Sequence, residues 1–368
     1  MIPLPKKHII SLNPYSPGKP IEEVKRELGL KKVIKMASNE NPLGPSPLAL
    51  KAAYKALKKV HLYPESGSYY LCRKLAASLN VKPENICLGN GSNELILLAI
   101  HSYASEPEDR IAYGFPSFII YRIIAHSYGI KTIETGLRNH RIDLEKLAGS
   151  LTEHTKIVFL CNPNNPMGTM NHRNEVAAFI EKVPSNVLTV MDEAYCEYAD
   201  KKTFPDLVKI STEKPNLVIL RTFSKMYGLA GLRIGYAIGH KSIIETLNKA
   251  RQPFNVNSIA QSAALAALDD LKHVKRTLET NAEGIDYIVS NLRRMGVEFI
   301  PTSTNFILIK TGDSKKFFDM LLEKGIIVRP MGSYGLNEYI RVTVGLPSEN
   351  RNFIRNLEVV MSLTGGNK

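Results

Sequence analysis

Between Arg221 and Gly235 the chain reads "RTFSKMYGLAGLRIG", so Thr222, Ser224, Lys225 and Arg233 follow directly on the apolar run "NLVIL". A lysine is ordinarily a solvated surface residue. Held where its ammonium is poorly hydrated, it loses its proton more readily and becomes a nucleophile toward aldehydes. The same pattern, polar residues directly after an apolar run, recurs along the chain. "ICLG" precedes "NGSNE", where Gly91 permits close backbone approach and the amides of Ser92 and Asn93 open a helix. "RIAYG" precedes "FPSF", which sets the aromatic Phe118 at a helix start, and "KIVFL" precedes "CNPNNPMG", with Asn165 in a rigid turn. "VLTVM" precedes "DEAY", so Asp192 and Tyr195 leave one buried strand together. An aspartate there needs a partner: an arginine, a metal or a protonated nitrogen.

Each residue alone has a plainer reading: a turn with an N-cap at Gly91–Ser92, a core aromatic at 118, a turn former at 165. What changes the reading is their common position. Strands alternating with helices imply a mostly parallel sheet covered on both faces, and ligands sit beyond the carboxyl ends of such strands. Pyridoxal phosphate answers the set group by group: an aldehyde for Lys225, a phosphate, a flat ring, a phenolic oxygen and a pyridine nitrogen that wants an acidic partner.

The elements that must position these residues are legible in outline. About forty turn-rich residues, including "SLNPYSPGKP" and "ASNENPLGPSP", precede an amphipathic helix opened by Ser46 as cap and Pro47 at the first helical position. Strand and helix patterns then alternate through "NLVILRTF". After "RQPFNVNS" the texture changes to one long helical stretch from about Ser258 to Met295, then "TNFILIK", a helix, "GIIVRP", "YIRVTVG" and a last helix, which reads as a smaller α+β unit. The expected division is an N-terminal arm over 1–40, a large domain over 41–252 and a small domain over 253–368.

The 368 residues exceed one comfortable core. With 48 Lys+Arg against 35 Asp+Glu the net charge is +13. The lysines occur as scattered pairs, such as Lys31-Lys32, mixed with acids, and Trp is absent. This argues for a basic surface that attracts anionic substrates and against a nucleic-acid partner. The four cysteines lack C-x-x-C spacing, which predicts neither a metal site nor disulfides and suits a reducing compartment. No apolar leader or membrane-length run is present, so a cytoplasmic protein without membrane contact is expected.

"NPNNPMG", "DEAY" and "FSKMYGLAGLRIG", in this order, resemble the aspartate-aminotransferase-like, fold type I pyridoxal-phosphate enzymes. The flanking "PYSPGKP", "LYPESGSYYL", "LGNGSNELI", "RQPFNVNSIAQ", "STNFILI" and "YIRVTVG" are most similar to its histidinol-phosphate aminotransferase branch, and the likeness spans nearly the whole chain. The resemblance implies an α/β fold, with a mostly parallel seven-stranded sheet in an α/β/α sandwich plus a smaller α+β domain. It implies a homodimer that converts L-histidinol phosphate and 2-oxoglutarate into imidazole acetol phosphate and glutamate in the pathway to histidine. Threonine-phosphate decarboxylation and aromatic or broad-specificity transamination are the nearest alternatives, and a basic nucleic-acid-binding protein on an enzyme-like scaffold is a remote one.

Carried over residue by residue, the resemblance makes Lys225 the covalent anchor of the cofactor and the proton carrier. Asp192 is the partner of the pyridine nitrogen, and Tyr195 and Asn165 are the donors to the phenolic oxygen. Phe118 stacks on the ring. Gly91, Ser92, Asn93, Thr222, Ser224 and Arg233 hold the phosphate. Arg341, helped by Arg329, receives the substrate's anion, with Tyr15, Asn39 and Asn165 at the substrate side. Tyr63 reaches into the neighbouring subunit's site, toward both cofactor and substrate. Two departures stand out: Met167 replaces the family's usual threonine in "NPTG", and Asn93 replaces an acidic residue.

Overall fold

The computed structural model describes residues 3–12 and 18–364. Seven strands form the main sheet: β1 Ile86–Gly89, β2 Arg110–Gly114, β3 Lys131–Thr135, β4 Thr155–Cys161, β5 Leu188–Asp192, β6 Leu217–Thr222 and β7 Gly235–Gly239. Their spatial order is β1-β7-β6-β5-β4-β2-β3. The neighbours from β6 to β3 are parallel, and β7 runs antiparallel to both β1 and β6. β4 and β5 are apolar without alternation because helices cover both faces of the sheet. Successive residues therefore enter opposite cores: Val158 and Leu160 pack with Met191 and Ile219, whereas Ile157 and Phe159 pack with Val190 and Leu220.

This topology collects chemistry at one edge. The parallel strands all end there, and the antiparallel β7 starts there. Residues just after Gly89, Gly114, Cys161, Asp192 and Thr222 are thus brought beside Arg233, just before Gly235.

A second, antiparallel sheet comprises β8 Phe299–Ile300, β9 Phe306–Lys310, β10 Arg329–Pro330 and β11 Tyr339–Thr343 in the order β8-β9-β11-β10. Its core joins Ile307, Ile309, Ile340 and Val342 to Ile288, Phe317, Phe353 and Leu357 from three helices. Fully burying each such side chain stabilises the fold by about 1.5–3 kcal/mol. The N-terminal segment joins this unit: Ile34–Lys35 pairs in parallel with Ile326–Ile327, and Thr343 donates its backbone N–H to Met36 at 2.8 Å. Residues 37–40 then cross from the small sheet toward the edge of the large one.

Ser46 caps the helix Pro47–Leu57 as expected, its hydroxyl accepting from the Ala49 N–H at 3.0 Å. The single helix expected over 258–295 is two helices, Ser258–Ala267 and Leu271–Arg294. The Asp270 carboxylate accepts from the His273 N–H at 3.1 Å and starts a new helix, a role that aspartate favours over a helix interior. The first of the pair buries Ala260, Ala263, Ala264 and Ala267 in the large sheet's core. Cys87 and Cys161 are buried as small apolar groups. Among the described residues, no helix is long and apolar enough to cross a membrane.

Candidate active site

A cavity of about 290 Å³ lies at that edge, between the two sheets. Ser92, Asn93, Phe118, Asn165, Asp192, Tyr195, Thr222, Ser224, Lys225 and Arg233 line it from the large sheet. Arg329 and Arg341 line it from the small one, and Asn39 and Glu40 from the crossing segment.

Lys225 follows β6 by three residues and is partly accessible from the cavity. Its ammonium donates to the Ser38 carbonyl at 3.0 Å and sits 5.9 Å from the centre of the Tyr195 ring. Burial, reinforced by the neighbouring Arg341 charge and opposed by Glu40, lowers its pKa to about 8. About a tenth is then the nucleophilic free amine at pH 7, against a few parts in ten thousand for an ordinary lysine.

Asp192 ends β5 and is buried. One carboxylate oxygen, Oδ2, accepts from the Tyr121 hydroxyl at 2.6 Å; the other, Oδ1, has no partner. Burial lifts its pKa to about 6, opposed by the Tyr121 hydroxyl and the Ala194 amide. A buried carboxylate with one oxygen unsatisfied is complete only with a further donor, and a cationic N–H serves best. The next residue, Glu193, points to the opposite face, where it accepts from Arg221 Nε at 2.9 Å. The "DEAY" stretch thus contributes one acid to the cavity and one to a structural ion pair.

One corner of the cavity is built by close backbone approach. Gly91 has φ +77°, and a Cβ there would lie 2.5 Å from Arg233 Nη2. A Cβ on Gly235 would lie 2.7 Å from the Ser92 nitrogen. Both positions therefore require glycine for the guanidinium and strand β7 to reach the N-terminus of the helix Ser92–Tyr103. Thr222 Oγ1 accepts from the Ser224 N–H at 3.1 Å, which shapes the loop on the far side.

Across the cavity, Arg329 and Arg341 lie side by side as register partners of β10 and β11. Arg341 donates to the Asn165 side-chain oxygen and, at 2.9 Å, to the Ala37 carbonyl. Tyr195 is buried against Phe306, and burial raises its phenol pKa well above the ordinary value. Its hydroxyl accepts from Asn39 Nδ2 at 2.8 Å. Asn39, expected on the substrate side, thus has its amide nitrogen engaged by the protein. Tyr63 is not on the cavity wall; it is 83 % exposed and stacks on Phe254 with ring centres 4.9 Å apart. Tyr15 lies outside the described residues.

Several neighbours escape sequence reading. Tyr121 lies in the first turn of the helix Ile120–Ser127, where its spacing does not distinguish a hydroxyl that meets Asp192 from one that meets solvent. Thr343, Ser38 and the Ala37 carbonyl offered no signal, because their partners are more than 150 residues away.

The residues fit pyridoxal phosphate on the structure's own terms. The unsatisfied Asp192 Oδ1 suits a protonated ring nitrogen, and the depressed Lys225 amine suits an aldehyde. The glycine-dependent corner at Arg233 suits a phosphate.

A family model described as "Aminotransferase class I and II" matches residues 31–357. The chain is 45 % identical to the histidinol-phosphate aminotransferase of Moorella thermoacetica, over 98 % of this chain and 94 % of that one. It is 46 % identical to that of Caldicellulosiruptor saccharolyticus, over 96 % and 99 %. Among solved structures, histidinol-phosphate aminotransferase from Sinorhizobium meliloti in complex with pyridoxal-5'-phosphate superposes with a TM-score of 0.89 at 29 % identity, covering 97 % of each chain.

Proposed function

The chain belongs to the class I and II aminotransferase family, and from that membership we propose that it transaminates L-histidinol phosphate with 2-oxoglutarate. The products are imidazole acetol phosphate and L-glutamate, made in alternating half-reactions on pyridoxal phosphate. The observation that carries this reading is a cavity that joins a depressed lysine, a half-satisfied buried aspartate and two neighbouring arginines. The net charge of +13 favours the approach of anionic substrates.

When bound, the cofactor supplies an electron sink for the pair left behind as the substrate's α-proton departs. We assign that proton to Lys225 Nζ, which takes it from the substrate and later returns it; a base titrating near the working pH is suited to both steps. Asp192 Oδ1 would accept from the ring nitrogen and keep a proton there. Tyr195 and Asn165 would engage the phenolic oxygen, and Phe118 would pack against the ring. Arg233, Thr222, Ser224 and the Gly91, Ser92 and Asn93 amides would hold the phosphate. Arg341, with Arg329, receives the substrate phosphate in one half-reaction and a carboxylate in the other, which a planar guanidinium accommodates in either case.

Truncating Arg341 to alanine is expected to lower kcat/KM for histidinol phosphate by about 10²–10³-fold, the range for removing one partner of a buried charged contact. The dissociation constant of the cofactor should change far less. Equal losses in both, measured by steady-state kinetics and cofactor titration, would reassign the arginine to the cofactor.

We also propose a homodimer in the cytoplasm, with Tyr63 completing the partner's site. An exposed apolar strip supports this: Leu57, Val60, Leu62, Tyr69 and Tyr70 lie along 57–70 beside Tyr63. Mixed Tyr63→Ala and Lys225→Ala chains should recover activity that neither has alone, because one site of each hybrid dimer is then intact. No recovery after refolding a mixture would remove the shared-site proposal. The division into an arm (1–40), a large domain (41–252) and a small domain (253–368) stands as a proposal supported by the two sheets and their separate cores.

The reading as a whole is tested by titrating the purified, pyridoxal-phosphate-loaded protein with L-histidinol phosphate. Conversion of the yellow form to the pyridoxamine form is expected. Preferential reaction with threonine phosphate or phenylalanine would replace the proposed substrate.

A further inference from the structure

We propose that Thr343 and Asn39 form a directed hydrogen-bond relay that compels the Tyr195 hydroxyl to donate its single proton to the cofactor's phenolic oxygen. Both are positioning residues, and the proposal rests on the reading that the cavity binds pyridoxal phosphate.

The direction of each bond follows from donor counting. The Asn39 backbone N–H donates to Thr343 Oγ1 at 2.9 Å, so the threonine's own proton must leave on another side. It goes to Asn39 Oδ1, 3.2 Å away. With its oxygen held there, the Asn39 amide presents its NH₂ to Tyr195 and donates to that hydroxyl at 2.8 Å. A phenol that accepts on one side directs its one proton elsewhere, and Tyr195 forms part of the cavity wall. The carbonyl of Asn39 is held in turn by Asn305 Nδ2 at 3.1 Å. All three relay residues are buried, so water does not compete for these bonds.

Asn39 has φ +53°, a left-handed conformation that asparagine tolerates better than most residues. That conformation is held from the small sheet, because Thr343 lies two residues along β11 from Arg341, on the same face. The strand that carries the substrate-anion arginine therefore also sets the proton direction of Tyr195. Asn39 does its work by orienting another side chain, a role distinct from the substrate contact that the family resemblance implies.

The test uses the pH titration of the holoenzyme's visible absorbance. In Thr343→Val the Asn39 amide is free to turn its oxygen toward Tyr195, whose proton then goes to Asn39 and leaves the phenolic oxygen with Asn165 as its remaining donor. That oxygen becomes more basic, and the apparent pKa of the visible band should rise by about one unit, the scale of one lost hydrogen bond. Thr343→Ser, which keeps the hydroxyl, should titrate like the parent protein. Tyr195→Phe should shift the band in the same direction, and adding Thr343→Val to it should shift it no further. Thr343→Ala serves in place of valine if that variant fails to fold.

A parent-like titration in Thr343→Val and Thr343→Ala, equal shifts in the serine and valine variants, or full additivity with Tyr195→Phe would overturn the relay. Failure of the parent protein to develop a visible band with added pyridoxal phosphate would instead sink the cofactor reading beneath it.

Discussion

Replacing Lys225 with alanine is expected to remove the visible absorbance of the pyridoxal-phosphate-loaded protein and to lower turnover by at least about 10⁴-fold. General acid–base catalysis alone accounts for 10²–10⁴, and the covalent anchorage of the cofactor is lost as well. Borohydride reduction of the unsubstituted holoenzyme should fix the cofactor on the peptide containing Lys225. Label on a different lysine, or activity that survives in the alanine variant without added amines, would refute the assignment.

The same residue has a pH signature. Its pKa is lowered to about 8, so the free amine predominates above that pH and is the minor form below it. Capture of the cofactor by the apoprotein requires the free amine. Its rate should therefore rise about tenfold per pH unit below 8 and level off above, by the ordinary titration of a single group. An ordinary lysine would show no plateau until above pH 10. A rate that is flat from pH 6 to 9 would mean that burial does not poise this amine.

Asp192→Asn carries the second largest expected effect. The substitution keeps the shape and a hydrogen-bonding side chain, so Tyr121 retains a partner, but it removes the negative charge that holds a proton on the ring nitrogen. Loss of one preorganised electrostatic partner costs about 10²–10³-fold in kcat, and the loss should appear in the proton-transfer step. The ¹⁵N shift of labelled cofactor should report a ring nitrogen protonated in the parent protein and unprotonated in the variant. If the nitrogen stays protonated in Asp192→Asn, the charge on this carboxylate is not what controls it.

Much of this site was legible from local pattern because the fold is modular. Each apolar run is a strand buried on two faces, and the polar residue after each run must emerge at the carboxyl edge of the sheet. That logic reached Asp192, Asn165, Thr222, Ser224 and Lys225 directly. It reached Arg233 because that residue lies only nine positions beyond Ser224, with β7 returning antiparallel. Tyr121 passed unremarked because a tyrosine one turn along an apolar helix has the same pattern whether its hydroxyl meets a carboxylate or solvent. The break at Asp270 was missed for a related reason: apolar periodicity continues on both sides, and one capping carboxylate decides the boundary.

The amino-acid sequence by itself determined the chemistry available to this protein: which groups stand at strand ends, the glycines that allow close approach to an anion, and the family to which they are similar. Those are properties of residue type and short spacing, and short-range sterics and burial suffice to read them. The tertiary structure alone decided how the groups are coupled. Asn39 lies 304 residues from Thr343 and 156 from Tyr195, and Arg341 lies 176 from Asn165. Hydrogen-bond direction and amine desolvation at such separations depend on how two sheets meet across one cavity, which no local pattern encodes.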